Sequence, residues 1–455
     1  MKNNWDKFSE SELNDLMKFA DGYKEFISSC KTERECASYI INKVTEAGFQ
    51  NLDDVSNLKS GDKVYVNNRG KSVALFVIGE ENIKDGINIL GAHIDSPRLD
   101  LKPHPLYEDD NLAYLDTHYY GGVKKYQWVT IPLAIHGVVV KKDGSKINVN
   151  IGEDSSDPVV GITDLLIHLA KDQMKANAND FIDPEKMSVL IGSLKDKSAK
   201  DEKIKENILK ILNEKYGIKE IDFARSEISF VPAFKAKYIG FDKSMIGGYG
   251  QDDRVCAYTT LRSLIDLANE KHSFEKTAIA LIVDKEEIGS VGNTSMSSNT
   301  FDMFINKLIK KSGLKDVDLY EVYYNSKMLS ADVSTCVDPD YEEVSDVQNG
   351  NILGCGIALE KYTGSGGKYS ASDANAAFVA EVMSIFEKNN VMFQLGTLGK
   401  IGKGGGGTIA YILAEKGVNV IDCGTAVLAM HSPFEVTSKY DVYMTYLAYK
   451  AFFKA

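Results

Sequence analysis

No run in this 455-residue chain approaches the ~18 consecutive apolar residues of a membrane-spanning helix, so no segment is expected to cross a bilayer. The start, Met1-Lys2-Asn3-Asn4-Trp5-Asp6, lacks the apolar core of a signal peptide, and a cytoplasmic location is expected. Basic charge is short too. Lys and Arg number 53 against 65 Asp and Glu, a formal net charge of −12, and no basic tail or stripe offsets it; nucleic acid is therefore not expected as the main partner. The six cysteines (Cys30, Cys36, Cys256, Cys336, Cys355, Cys423) show no C-x-x-C spacing, which excludes zinc-finger geometry and suits reduced, mostly buried thiols. Internal repeats and low-complexity linkers are absent. In the run Gly402-Lys403-Gly404-Gly405-Gly406-Gly407-Thr408 the lysine precedes the glycines, so the Walker arrangement that cradles phosphate is missing. That leaves two readings of the run: bare backbone approaching a peptide substrate, or plain flexibility.

A chain of this length exceeds one ordinary core, so two domains, or one large domain carrying an insertion, are expected. The segment to about residue 48 reads as helical: Thr32-Glu33-Arg34-Glu35 fits a capping box, Tyr39, Ile40 and Val44 recur at helical spacing, and Gly48 is a stop. Val73 to Gly79 and Ile87 to Ala92 read as buried strands. From about Leu99 the texture changes to short antiparallel strands, Leu112 to Tyr120, Val129 to Val140 and Lys146 to Ile151. A helix-like stretch with Ile162, Leu165, Leu166 and Leu169 on one face follows, then an amphipathic helix between Lys197 and Lys219. The simplest account is an α/β domain formed by residues 1–98 and 236–455, interrupted by a mostly β insertion at 99–235.

Polar residues with metal-binding chemistry gather where apolar runs end. Ala280-Leu281-Ile282-Val283 leads into Asp284-Lys285-Glu286-Glu287-Ile288-Gly289-Ser290, and open α/β sheets place ligands at such strand ends. Neighbouring side chains on extended backbone point to opposite sides, so one Glu can bind a metal while the other faces a water. Two adjacent acids are, however, more often a solvated loop. His93 and Asp95 stand two apart, which lets the carboxylate hydrogen-bond the imidazole and choose the nitrogen that faces a metal. A lone His near a strand end is more often a satisfied polar residue. Asp252 and Asp253 open a helix-like stretch, where carboxylates commonly serve as N-caps but can also bridge two cations. Met328-Leu329-Ser330-Ala331 ends at Asp332, and Val418 to Met430 leads to His431.

In this order the motifs Gly91-Ala92-His93-Ile94-Asp95-Ser96-Pro97, Gln251-Asp252-Asp253-Arg254, Glu286-Glu287-Ile288-Gly289-Ser290, Ser330-Ala331-Asp332 and Met430-His431-Ser432 span most of the chain. The set resembles the aspartyl-aminopeptidase-type metallopeptidases, within the co-catalytic dizinc exopeptidases, and looks like their bacterial branch. The resemblance implies a mixed-sheet α/β/α metallopeptidase domain with an inserted dimerisation domain. It also implies two Zn2+ ions per subunit, with Mn2+ or Co2+ also accepted. His93, Asp252, Glu287, Asp332 and His431 become the ligands, Asp252 bridging in preference to Asp253; Glu286 becomes the general base and Asp95 the partner of His93. His168, in Thr163-Asp164-Leu165-Leu166-Ile167-His168-Leu169-Ala170, corresponds to a histidine that in relatives reaches a neighbouring subunit's active site. Read from the residues alone, it is a helical His among leucines with Asp164 one turn back. The implied activity is removal of the N-terminal residue from peptides, by a homo-oligomer with a dimer as building block and a dodecameric shell.

Departures fall where substrate side chains are read. Val333-Ser334 and Val337-Asp338-Pro339-Asp340-Tyr341 stand where many relatives carry Ala-His and His-Pro-Asn-Tyr, and extra glycines occupy 402–407, so an acidic substrate preference is not carried over. Two other readings compete. A dizinc carboxypeptidase or deacylase would use the same ligands, and a non-catalytic shell protein would have lost a base or ligand.

Overall fold

Both faces of the central strands are apolar. Leu90 and Ala92 enter one core while Ile87 and Ile89 enter the other, and Ala278, Ala280 and Ile282 oppose Ile279, Leu281 and Val283 in the same way. Each large apolar side chain so buried contributes ~1.5–3 kcal/mol, which commits these segments to a sheet covered on both sides. The computed structural model, which describes residues 4–270 and 272–455, contains that sheet. Its nine strands lie in the order Gln50–Asn51, Lys63–Asn68, Ser72–Val77, Thr277–Val283, Ile87–His93, Lys327–Ser330, Asn419–Gly424, Ile357–Glu360 and Phe393–Leu395. The run from Thr277–Val283 through Ile87–His93 and Lys327–Ser330 to Asn419–Gly424 is parallel, and antiparallel neighbours flank it. Four C-terminal strand ends therefore share one edge.

Helices Glu10–Ser29, Glu33–Glu46, Gln251–Asn269, Ala376–Lys388 and Lys439–Phe453 cover one face; Thr300–Lys311, Leu319–Tyr324 and Ala410–Ala414 cover the other. These are the expected α/β/α layers. The expected N-terminal helical segment is two helices parted at Cys30–Lys31, each opened by a capping box, Ser9 with Glu12 and Thr32 with Glu35. The box at Ser9 escaped the sequence reading. All six cysteines are free and buried. Among the described residues no helix is long and apolar enough to cross a membrane.

The chain divides into two units. One comprises the residues up to Asp95 with Ala236–Met430 and Phe434–Ala455, and the other Ser96–Lys235 with His431–Pro433. The second is built on a six-stranded antiparallel sheet, ordered Lys146–Ile151, Leu133–Val140, Ser226–Pro232, Arg98–Asp109, Leu112–Tyr120, Val189–Gly192. The expected amphipathic helix is Lys203–Tyr216. Strand Arg98–Asp109 went unforeseen because Pro103 and Pro105 interrupt its pattern; its register shifts between Leu101 and Leu106, where proline cannot donate to the ladder.

One expectation fails. The stretch around Ile162 to Leu169 is no helix, because Val160 pairs with Leu133, Gly161 with Leu190, and the Ile162 carbonyl accepts from Thr130. Backbone taken up by sheet partners is not available for helical bonds, and Leu165, Leu166, Ile167 and Leu169 end exposed. Asp164 accepts from the Leu165 amide (2.7 Å) and from Gln173 Nε2 (2.9 Å), so it is not the helical partner of His168 that the pattern suggested.

Close approach limits one glycine of the main sheet. A Cβ on Gly424 would lie 1.9 Å from the Asp332 carbonyl oxygen, whereas one on Gly404 would meet nothing within 4 Å. Gly424→Ala should cost ~1–3 kcal/mol of overpacking. Gly404→Ala should be neutral or gain up to ~1 kcal/mol by stiffening the unfolded chain. Urea midpoints of the two variants check this; equal midpoints would refute the close contact at Gly424.

Candidate metal centre

Strand Ile87–His93 is buried along its length and ends on His93, whose side chain is 1% exposed. Its Nδ1 lies 3.0 Å from the Asp95 carbonyl oxygen and 3.3 Å from Asp95 Oδ1. A proton held there leaves the Nε2 lone pair to the other side. On that side are Asp252 Oδ1 at 3.1 Å, Asp332 Oδ1 at 3.7 Å and Glu286 Oε2 at 3.9 Å. His93, Asp252 and Asp332, all buried, each offer one ligand atom within 4.8 Å of the others.

Each acid arrives by a different route. Asp332 follows strand Lys327–Ser330, beside His93's own strand. Asp252 lies in the first turn of Gln251–Asn269 with non-helical backbone angles (φ −79°, ψ 109°), after Gly250 at φ +76°. Asp253 turns elsewhere: its Oδ2 accepts the His93 amide at 3.2 Å, and it is not in the ligand group. Glu286 and Glu287 do not extend the strand Thr277–Val283, as the sequence reading assumed; they form a 3-10 turn, Glu286–Ile288, entered through Lys285 at φ +72°. A single carboxylate orients that turn. Asp95 accepts the Glu286 amide at 3.1 Å through Oδ1 and the Glu287 amide at 3.2 Å through Oδ2. Sequence spacing suggested the contact between Asp95 and His93 but carried no signal for a grip on a turn nearly 200 residues away. Glu287 offers an oxygen within 4.8 Å of one from Asp252.

His431, at φ +65° in the turn after strand Ala426–Leu428, is grouped with the second unit, where its Nδ1 lies 2.9 Å from the Gly122 carbonyl oxygen. His168 stands exposed in a turn of that unit. The glycine-rich run lines an open hollow with Tyr362, Thr363, Lys368 and Lys400, and Thr408 at its end donates to Asp422 at 2.6 Å. Burial pushes Asp422 up to about 7.

Charge is crowded at this edge. Burial, and after it the charges of Asp332, Asp252 and Asp95, push Glu286 up to about 8 against the pull of His93. Burial and Asp252 likewise raise Asp332. Burial opposes charge on His93, yet its contacts with Asp252, Asp332 and Asp95 carry its pKa well above the ordinary range. Buried carboxylates that repel one another around an imidazole are relieved by a cation, and neutral nitrogen with hard oxygen suits Zn2+. The donor set therefore fits a divalent metal.

The family of aminopeptidase I zinc metalloproteases, peptidase M18, matches residues 26–453. A Clostridium acetobutylicum protein named "Probable M18 family aminopeptidase 1" is 51% identical over 457 aligned residues, covering 99% of this chain and 97% of its own. The crystal structure of an M18 aminopeptidase from Thermotoga maritima superposes with a TM-score of 0.95 at 45% identity, covering 100% of this chain and 99% of that one. A structure described as the S. cerevisiae mApe1 dodecamer shares the fold, with a TM-score of 0.78 at 21% identity over 96% of each chain. With a family match over nearly its whole length and a relative at half identity, the chain belongs to the M18 zinc metallo-aminopeptidases.

Proposed function

We propose that this aminopeptidase removes N-terminal residues from peptides at a centre of two Zn2+ ions, one on His93, Asp252 and Asp332, the other on Asp252, Glu287 and His431. The convergence of His93 and Asp332, at the ends of adjacent parallel strands, with Asp252, at the start of a helix, carries the reading. Asp252 is the shared ligand because its Oδ1 faces His93 Nε2, while Asp253 is turned to a backbone amide. Mn2+ or Co2+ would satisfy the same donors. When bound, the metal pair supplies Lewis acidity, polarising the scissile carbonyl and making water acidic near neutral pH. Glu286 is the base: its Oε2 lies 3.9 Å from His93 Nε2, on the side where Asp252 and Asp332 gather, so as a carboxylate it is placed to take a proton from water and deliver it to the leaving amine. Asp95 keeps the proton of His93 on Nδ1 and, through the amides of Glu286 and Glu287, keeps base and ligand in place.

Residues 99–235 serve dimerisation in this proposal, and the dimer is the building block of a larger, dodecameric shell. The exposed run Leu165, Leu166, Ile167 and Leu169 supports it, since contiguous apolar surface of this kind marks interaction sites. His168 lies within that run and is proposed to reach a neighbouring copy's active site as a donor to the developing oxyanion.

Full activity after exhaustive dialysis against chelator, with metal absent by elemental analysis, would end the metallopeptidase reading. The expected result is loss that added Zn2+, Mn2+ or Co2+ reverses, with activity falling below pH ~6 as ligands take up protons. Aminoacyl reporters should be cleaved and peptides with a blocked amine spared; the opposite preference would indicate a carboxypeptidase or deacylase.

The adjacent glutamates should fail differently. Glu286→Gln should retain metal and lose ~10²-fold or more in kcat, whereas Glu287→Gln should lower metal occupancy. Metal content of both variants decides, and the reverse pattern would exchange the roles.

For His168, the check mixes two inactive proteins, His168→Ala and Glu286→Gln, under conditions that exchange subunits. One site of a mixed dimer then receives both native residues, so activity should partly return. Mixed dimers that form and stay inactive, with His168→Ala alone nearly as active as the native enzyme, would leave the second unit an assembly role only.

A further inference from the structure

A carboxylate far from Asp252 in the sequence lies against the backbone that bears it. Asp252 sits in the first turn of Gln251–Asn269, and the first amides of a helix have no acceptor within the helix. The N-cap position is Gly250, which has no side chain with which to cap. Its positive φ and the packed Arg254 leave no room for one: a Cβ at Gly250 would stand 2.1 Å from Arg254 Nη2.

The missing acceptor comes from strand Glu435–Ser438. That strand pairs antiparallel with Met245–Gly248, in a register that sets Glu435 opposite Gly248, just before the helix begins. Glu435 is 1% exposed, and its Oε2 accepts the Gln251 amide at 2.5 Å and the Asp252 amide at 3.4 Å. The rest of Gln251 is held as well, its Nε2 donating to the Ile246 carbonyl at 3.0 Å and its Oε1 accepting from the Tyr23 hydroxyl. Arg254, fully buried and stacked 4.7 Å from the Tyr249 ring centroid, supplies positive charge nearby. A buried carboxylate here thus meets both backbone donors and a cation, which is what makes its desolvation tolerable.

We propose that Glu435 is a positioning residue for the metal centre: by capping the Gln251 and Asp252 amides from a separate strand it fixes the direction of the Asp252 carboxylate. The inference rests on the reading of Asp252 as a ligand. Partners that orient a ligand change metal affinity by ~10–100-fold when lost.

The test measures Zn2+ affinity of the full chain by competition with a fluorescent chelator, alongside unfolding midpoints. Glu435→Asp keeps the charge near Arg254 but draws the carboxylate back from the amides by one methylene. Glu435→Ala removes it. Glu435→Gln keeps an acceptor at full reach without the charge. The control is Asp441→Asn: Asp441 is also fully buried and accepts two amides, those of Gly354 and Gly356, both at 2.7 Å, but holds no proposed ligand segment. Expected are a tenfold or greater loss for Glu435→Asp and Glu435→Ala, whichever folds, a loss within threefold for Glu435→Gln, and native affinity for Asp441→Asn despite a lower midpoint. The proposal is overturned if folded Glu435→Asp or Glu435→Ala binds Zn2+ as the native chain does, or if Glu435→Gln or Asp441→Asn falls as far. A native chain that binds no Zn2+ overturns the metal-centre reading itself, whereas native binding with an indifferent Glu435→Asp overturns only the role of Glu435.

Discussion

Holding several carboxylates and an imidazole together in a place largely shielded from water is the requirement on which the first unit turns. Each acid loses hydration, repels the next and tends to take up a proton, as the raised position of Glu286, about 8, expresses. Side chains free to move would separate. They are kept together because His93 and Asp332 end or follow adjacent parallel strands whose two faces are packed with aliphatic groups, so neither can retreat without disturbing a core. Close packing reaches the site itself: strand residue Gly424 passes so near the Asp332 carbonyl that a methyl group would not fit.

Backbone amides, fixed by carboxylates from elsewhere in the chain, do the finer aiming. Asp95 does this for the turn bearing Glu286 and Glu287, with an oxygen for each amide. Glu435 does it for the helix start bearing Asp252. A charged acceptor gives stronger hydrogen bonds than a neutral one, and burial strengthens them further, so each carboxylate opposes displacement of the short turn or helix start it holds. Asp441 uses the same device on the amides of Gly354 and Gly356.

Much of this was legible in the residues. Alternating burial, the strand limits at Ile87 and Tyr120, the capping box at Thr32 and the acids ending apolar runs all express local rules of period two, period 3.6 and chain termination. The apolar spacing of Ile162, Leu165, Leu166 and Leu169 obeyed the helical rule and misled, because sheet partners at Leu133, Leu190 and Thr130 had already claimed the adjoining backbone. Strand Arg98–Asp109 was hidden for the converse reason: its prolines break the pattern without removing it from the sheet.

The sequence alone determined which chemical groups are present, in what order, and that several of them close strands; these follow from composition and from interactions between residues a few positions apart. It also carried the family resemblance, since five short motifs in a fixed order need no coordinates. Tertiary structure decided which oxygen of which acid faces His93 Nε2, that Asp252 and not Asp253 does so, and that Asp95 and Glu435 hold loops roughly 190 residues away in the chain. Those choices depend on the register between strands that are distant in sequence, such as Gly248 opposite Glu435 and Gly91 opposite Ser330. Register is set by how whole faces pack, and no local pattern encodes it.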